Sequence, residues 1–343
     1  MKSYLKDNNL TQDNLNTIIN VSQYYEKWLA QAKEIKELPT SMYWHTVGNK
    51  KYLYQKNKKQ IKNIGRENKE TIDKYEKYIK IKQQLNEDFQ KITNILSQEL
   101  LKYRLMRLPR INATAAKILR HLDINQVLGE HYLVVGTNAF GIYEIMAKSY
   151  FKEKITSTDD FDLTWQNKKI DLTSNNIPIL LKLLKEVDDS FTINKNKPYQ
   201  ATNSKGYEVE LLTSIKENKT LHKNEVFSPY PIMEQEWLLL GKQEKFILLA
   251  DDMTPAPLVV PDPRWMALHK IWLSHKNTRN ILKRDKDLLQ GQLLLEVVYE
   301  KMYLDYPLDH QFINEVKEQG CGLIDIINDF LKHKPIKTNK IIF

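Results

Sequence analysis

The chain has 343 residues, 41% hydrophobic and 10% aromatic, which is enough apolar material for one or two cores and argues against global disorder. Lysine and arginine (52) outnumber aspartate and glutamate (43), and the net charge of +9 favours polyanionic partners, although the surplus is spread along the chain. A single cysteine, Cys321, excludes an intrachain disulfide and a cysteine-based zinc site. No apolar stretch approaches the roughly 20 residues that cross a bilayer. The first residues, Met1-Lys2-Ser3-Tyr4-Leu5-Lys6, lack an apolar signal core, so a cytoplasmic location is expected.

Residues 1–110 read as helical. A helix is expected near Asn14 to Ala32. From Glu70 to Arg107 a second, long one carries Ile72, Tyr75, Ile79, Leu85, Phe89, Ile92, Leu96, Leu100 and Tyr103 at mostly three- and four-residue steps. Between them lies a less regular stretch with Tyr43-Trp44 and Tyr52-Leu53-Tyr54, read as a docking surface for neighbouring helices. Asn112 to Leu122 predicts a short helix leading into the strand Tyr132-Leu133-Val134-Val135. Gly136-Thr137 then turns the chain into a helix beginning near Asn138. Glycine lets the backbone approach a ligand closely, and a helix N-terminus offers unpaired N–H groups to phosphate.

A second strand follows at Thr158-Asp159-Asp160-Phe161-Asp162-Leu163. Residues two apart on a strand point to one face, about 6.5–7 Å apart. Asp160 and Asp162 therefore project side by side, with Phe161 and Leu163 turned into the core. Like charges held this close call for a cation between them, and oxygen-only ligands suit Mg²⁺ or Mn²⁺. Ser174 or Asn175 is expected to cap a helix through Val187, with a short strand at Phe191-Ile193. Ser204-Lys205-Gly206 reads as a hairpin turn before the alternating strand Tyr207-Glu208-Val209-Glu210-Leu211-Leu212. Glu210 is the expected third carboxylate, with Glu208, on the same face, as the alternative. Three such groups can hold two divalent ions about 3.5–4 Å apart, the clamp for an in-line phosphoryl displacement.

From Trp237 to Val260 several short strands are expected, with a turn at Gly241-Lys242 and a break at Pro255-Ala256-Pro257. Pro261 and Pro263 precede a helix beginning near Trp265. The rest through Leu331 reads as helical, and Lys332 to Phe343 as a basic tail. His269, on a mostly apolar helix, reads as a satisfied core histidine. No internal repeat, H-E-x-x-H spacing, Ser-His-Asp arrangement or Walker loop is visible.

At these residues the chain resembles the DNA polymerase beta-type nucleotidyltransferase superfamily, with its Gly-hydroxyl turn, acid-hydrophobic-acid strand and third acid on a later strand. Within it, the chain is similar to a bacterial family of nucleotidyltransferases over about residues 50 to 300. The matching segments are Val134 to Glu144, Thr158 to Leu163, Lys205 to Leu212, Val260-Pro261-Asp262-Pro263-Arg264 with Ala267-Leu268-His269-Lys270, and Lys283 to Gln290. Tyr52-Leu53-Tyr54 and Ile64-Gly65-Arg66 match more loosely. Thr137 stands where the superfamily usually has Ser, Asn138 where the family often has His, and Glu210 where Asp is usual.

The resemblance implies an α+β protein: a small mixed-sheet nucleotidyltransferase core at 111–225, a helical region at 1–110, and short strands followed by helices at 226–343. It implies transfer of NMP from an NTP to an acceptor hydroxyl, with two Mg²⁺ or Mn²⁺ ions on the catalytic ligands Asp160, Asp162 and Glu210. Gly136 and Thr137 would contact nucleotide phosphates. By likeness to abortive-infection-type toxin enzymes, Lys270 would neutralise triphosphate charge, with Asp287 as its partner and Lys286 in the same cluster. Arg66 would reach a phosphate. Glu144 and Arg264 match the family pattern without an assigned mechanism. RNA, especially tRNA, is the favoured acceptor; a protein, a small molecule, or a catalytically silent binding module are the competing expectations.

Overall fold

The computed structural model describes residues 5–57, 60–156, 160–166, 180–218, 227–320 and 322–334. The expectations at Thr158, Asp159, Ser174, Asn175 and Cys321, and for the tail from residue 335, lie outside the described residues. The chain forms two compact units, residues 17–105 and residues 1–16 with 106–343. Mixed helices and small sheets make it an α+β protein, as the sequence implies.

Strand β1 (Leu5–Asn9) is followed by helix α1 (Gln12–Glu37), which buries Ile18, Val21, Tyr25 and Leu29 at helical spacing. Next come β2 (Ser41–Val47), β3 (Lys50–Asn57) and β4 (Gln60–Arg66), an antiparallel meander, and then the 37-residue helix α2 (Lys69–Leu105). The stretch expected to be irregular is thus a sheet. The short aromatic-polar alternation around Tyr43 and Tyr54 suits a pleated surface, and their rings stack at 5.9 Å. Trp44 does pack on a helix, meeting Tyr75 of α2 edge-on at 5.8 Å. The two helices of this unit run antiparallel, with Asn20 bonded to Glu99 and Trp28 against Phe89. In the first half of α2 the buried positions are Thr71 and Tyr78, while Ile72 and Ile79 are exposed. The Tyr78 hydroxyl donates to the carbonyl of Pro39, so the helix turns this face to the chain entering the meander.

The larger unit begins with β5 (Arg110–Ile111) and α3 (Ala113–Ile124), whose N-cap Asn112 accepts from the Thr114 N–H at 2.7 Å. Then follow β6 (Tyr132–Val134), a 3₁₀ turn (Gly136–Ala139), α4 (Phe140–Met146), β7 (Ser149–Phe151), α5 (Glu153–Thr156) and β8 (Asp160–Trp165). The helix expected near Asn138 therefore starts as this tighter turn and becomes α-helical only at Phe140. Helix α6 (Leu180–Val187), β9 (Thr192–Asn194), β10 (Lys197–Thr202), β11 (Glu208–Thr213), α7 (Ile215–Asn218) and β12 (Tyr230–Pro231) complete the central sheet region.

The central sheet has the order β6-β8-β11-β10-β9, with β12 on the far end of β11. Strand β8 is antiparallel to β6 and parallel to β11. Phe161 and Leu163 of β8, and Val209 and Leu211 of β11, are buried, which leaves the acidic positions on the opposite face. Burying one hydrophobic face fixes register, because a one-residue slip would expose all four side chains.

A second 3₁₀ segment (Met233–Leu239) leads to β13 (Glu244–Ala250) and β14 (Pro255–Val260). Pro255, Ala256 and Pro257 form the start of a strand, where a break is expected from sequence. β14 is an edge of the order β14-β13-β5, where the backbone N–H that proline lacks is not needed for a second ladder. Asp262 caps α8 (Pro263–His275), and α9 (Ile281–Lys301), α10 (His310–Gln319) and α11 (Leu323–Leu331) follow. Glu144 and Arg264 serve structure: Glu144 accepts from the Phe151 N–H at 2.5 Å, and Arg264 pairs with Asp262 over the Phe312 ring. Among the described residues no helix is long and apolar enough to cross a membrane.

Helices α8 and α9 meet at Gly291, where an added Cβ would lie 2.6 Å from Ile271 Cγ1 and 2.8 Å from the Ala267 carbonyl. Alanine normally stabilises a helix interior by about 1 kcal/mol over glycine. Here overpacking, typically about 1–3 kcal/mol, outweighs that gain. Gly291→Ala is expected to lower the urea midpoint at unchanged m-value; a raised midpoint would show that the helices separate freely.

Candidate functional site

The site grows from the pairing of β8 with β11. Their register sets Glu208 opposite Asp160 and Glu210 opposite Asp162. Parallel neighbours lie about 4.8 Å apart, so side chains on one face are forced together. Around them opens a cleft of about 780 Å³ that includes Asp160, Asp162 and Glu210 with Gly136, Thr137, Lys270, Lys286 and Asp287. Eight of the nine residues nominated from sequence thus line one cleft. Arg66 is exposed on β4, in the smaller unit.

Gly136 has φ +69, and a Cβ there would lie 2.3 Å from Asp162 Oδ2. Both the backbone conformation and the approach of the carboxylate exclude any other residue. The Val135 N–H donates to the Asp162 carbonyl, and the Asn138 amide donates to the Asp160 carbonyl at 2.8 Å, so the turn is tied to the acidic strand at both residues. Thr137 is buried, and its hydroxyl accepts from Gln290 Nε2, which also donates to the Ile155 carbonyl. Gln290 links α9 to the turn across 153 residues, a tie that local pattern does not announce.

The carboxylates disturb one another. Burial, then the charges of Asp160 and Glu210, push Asp162 from the ordinary 3.8 to about 7, against the lysines 270 and 283. Burial raises Glu210; Lys283 and Lys197 oppose this, and Asp160 and Glu208 add to it. Burial and the same two aspartates raise the Tyr207 hydroxyl. Gln200 donates to Glu208 at 2.8 Å and to Glu210 at 3.3 Å, so it holds both candidates for the third carboxylate. Glu210 is the one that lines the cleft.

Cations arrive from α8, α9 and the link between them. Lys283 Nζ lies 2.9 Å from Asp160 Oδ2, with side chains 52% and 30% exposed. An ion pair this open contributes only about 0–1 kcal/mol and is readily exchanged. Burial alone would lower Lys283, but its hydrogen bond to Asp160 raises it. Lys270 and Asp287 form a buried pair at 2.8 Å, and Arg279 Nε meets the other oxygen of Asp287 at 2.7 Å. Despite burial, these two cations hold Asp287 below the usual carboxylate range. Burial, then the charge of Lys270, lowers Lys286.

His269 is buried, as expected, but among the described residues neither ring nitrogen has a hydrogen-bond partner, so it is not the satisfied core histidine read from sequence. A mostly apolar helix face reports burial; it carries no information about partners.

Among the described residues no three or more His, Cys, Asp or Glu side chains are gathered closely enough to hold a metal ion by themselves. The chemistry of the acidic residues is nonetheless of the kind a hard divalent cation takes: every candidate donor is oxygen, like charges are crowded, and the Lys283 ammonium pairs with Asp160.

The raised acid at Asp162 has a definite sign. Between pH 4 and 7 the folded chain keeps a proton that the unfolded chain has released, so stability falls as pH rises through that window. Asp162→Asn removes the charge. Without divalent ions, its melting temperature should exceed wild type by a margin that grows from about pH 4 and levels off above about pH 7. A margin independent of pH would contradict the crowding of these carboxylates.

A family model described as a nucleotidyltransferase matches residues 113–312, which includes the turn, the acidic strands and the α8–α9 pair. No curated protein and no solved structure matches the chain. With well over half of its length matched, this chain belongs to the nucleotidyltransferase family.

Proposed function

We propose that the protein is a divalent-metal-dependent nucleotidyltransferase that moves NMP from an NTP to an acceptor hydroxyl, with Asp160, Asp162 and Glu210 as the metal ligands. The observation that carries this reading is the in-register convergence of those three carboxylates beside the Gly136 turn, with exchangeable Lys283 seated on Asp160. Two Mg²⁺ or Mn²⁺ ions, when bound, would neutralise the phosphates and stabilise the entering and leaving oxygens of an in-line displacement. The protein groups supply the rest. Lys283 leaves Asp160 and, with Lys286, turns to the triphosphate. Lys270, held in place by Asp287, adds fixed positive charge for the departing pyrophosphate. Backbone at Gly136 and Thr137 approaches the phosphates closely, because no side chain intervenes at Gly136. The acceptor oxygen bonds to the α-phosphorus as the bond from that phosphorus to the bridging oxygen breaks. The acceptor's proton passes to solvent water or, where one is not engaged as a ligand, to a carboxylate of the site.

RNA, tRNA above all, is the acceptor we favour, on the net charge of +9. Labelled NTPs offered one at a time with Mg²⁺ and a cell lysate should place label in the RNA fraction; label in protein or in small molecules would replace that acceptor. Asp160→Asn and Asp162→Asn should each lower transfer by about 100-fold or more, some 3 kcal/mol of barrier, without loss of folded protein. Full activity in either variant would remove the metal-ligand assignment. With an RNA acceptor, affinity should fall steeply as salt rises from about 50 to 200 mM, whereas a small acceptor would be nearly indifferent.

A further inference from the structure

Beside the acids, the same cleft has a wall with a different chemistry. It is formed by Tyr199, Tyr230, Ile232, Gln235, Leu238 and His269. Tyr230 sits on β12, paired with Leu212, two residues beyond Glu210 on the same strand, so this wall adjoins the acidic cluster. The Tyr199 and Tyr230 rings lie 5.0 Å apart. Gln235 and His269 are 3% and 4% exposed, yet among the described residues Gln235 Oε1 and both ring nitrogens of His269 have no hydrogen-bond partner. Buried polar atoms are paired in the great majority of cases, and an orphan is costly unless something else satisfies it. Three orphans on two residues lining one cavity point to a ligand that brings its own donors and acceptors.

We propose that this wall is the nucleobase subsite of the nucleotidyltransferase centre: the base of the incoming NTP lies against the tyrosine pair, and its hydrogen-bonding edge is read by Gln235 and His269. The inference rests on the function proposed above and specifies which part of the NTP the cleft distinguishes. Burial, followed by the charge of Lys270, holds His269 down to about 3, so the ring is neutral and offers one N–H donor and one acceptor nitrogen. Gln235 Oε1 accepts. A base edge that presents a donor beside an acceptor, joined to a flat apolar face, meets both groups and the aromatic rings at once. A phosphate or sugar does not, because neither carries a flat apolar face. Neighbouring polar groups do not fill this role: Glu234 is already paired with Lys276 and bonded by Trp272 Nε1, and the Trp237 ring packs edge-on to His269.

The test compares binding of each NTP with that of inorganic tripolyphosphate, in Mg²⁺, to the full chain by calorimetry. Wild type should bind at least one NTP about 10-fold or more tighter than tripolyphosphate. His269→Leu and Gln235→Leu should each bring that NTP to the tripolyphosphate level and leave tripolyphosphate affinity unchanged. Their melting temperatures should hold or rise, because the orphaned atoms are gone. His269→Gln, which keeps a donor and an acceptor, should recover part of the preference and covers the case in which a leucine variant fails to fold. The inference is overturned if no NTP outbinds tripolyphosphate, or if folded leucine variants keep the wild-type preference. A protein that shows the expected binding losses but transfers nothing would refute the catalytic reading alone; one that transfers with unaltered base preference in the variants would refute the subsite alone.

Discussion

The parallel pairing of β8 with β11 is the constraint on which the site depends. Phe161, Leu163, Val209 and Leu211 bury one face of that pair, and the pleat then forces Asp160, Asp162, Glu208 and Glu210 onto the other. Burial of four large apolar side chains contributes several kcal/mol, at about 1.5–3 kcal/mol each. That is enough to hold like charges where they repel, and the rise of Asp162 to about 7 records its burial first and that repulsion second. Gly136 sharpens it, because the turn brings backbone to the Asp162 carboxylate where a methyl group has no room.

Around this anionic floor the α8–α9 pair works as a rigid carrier of positive charge. The helices approach closely at Gly291, Gln290 fastens α9 to the Gly-Thr turn, and Asp287 organises Lys270 and Arg279. The cations differ in mobility for a physical reason. Lys270 is buried against Asp287, which Arg279 also holds, and moving it would strand a charge in a low-dielectric interior. Lys283 is half exposed, so releasing Asp160 costs little. One cation is thus fixed and another exchangeable, the division needed by a cleft that admits a highly charged ligand.

Much of this was legible in the chain itself. The acid-Phe-acid-Leu alternation determines which side chains of β8 share a face, and Asp262-Pro263 determines where α8 begins, through a side-chain cap at 2.9 Å to the Arg264 N–H. The long helix α2 follows from its apolar spacing, although its first half turns Thr71 and Tyr78 inward in place of Ile72 and Ile79, a choice made by the chain it packs on. The meander at β2–β4 and the strand that starts with Pro255 were hidden, since short aromatic runs suit several structures and a proline is tolerated in a strand only at an edge.

The sequence determined residue chemistry and local period: which positions carry oxygen ligands, where a glycine is required, which faces are apolar. Tertiary structure alone decided which distant groups meet. Lys283 reaches Asp160 across 123 residues, Gln290 reaches Thr137 across 153, and the His269 ring nitrogens and Gln235 Oε1 have no hydrogen-bond partner among the described residues, on the wall of one cleft. Periodicity encodes only the direction in which a side chain leaves its own element, whereas pairing and its absence depend on what the rest of the fold brings opposite.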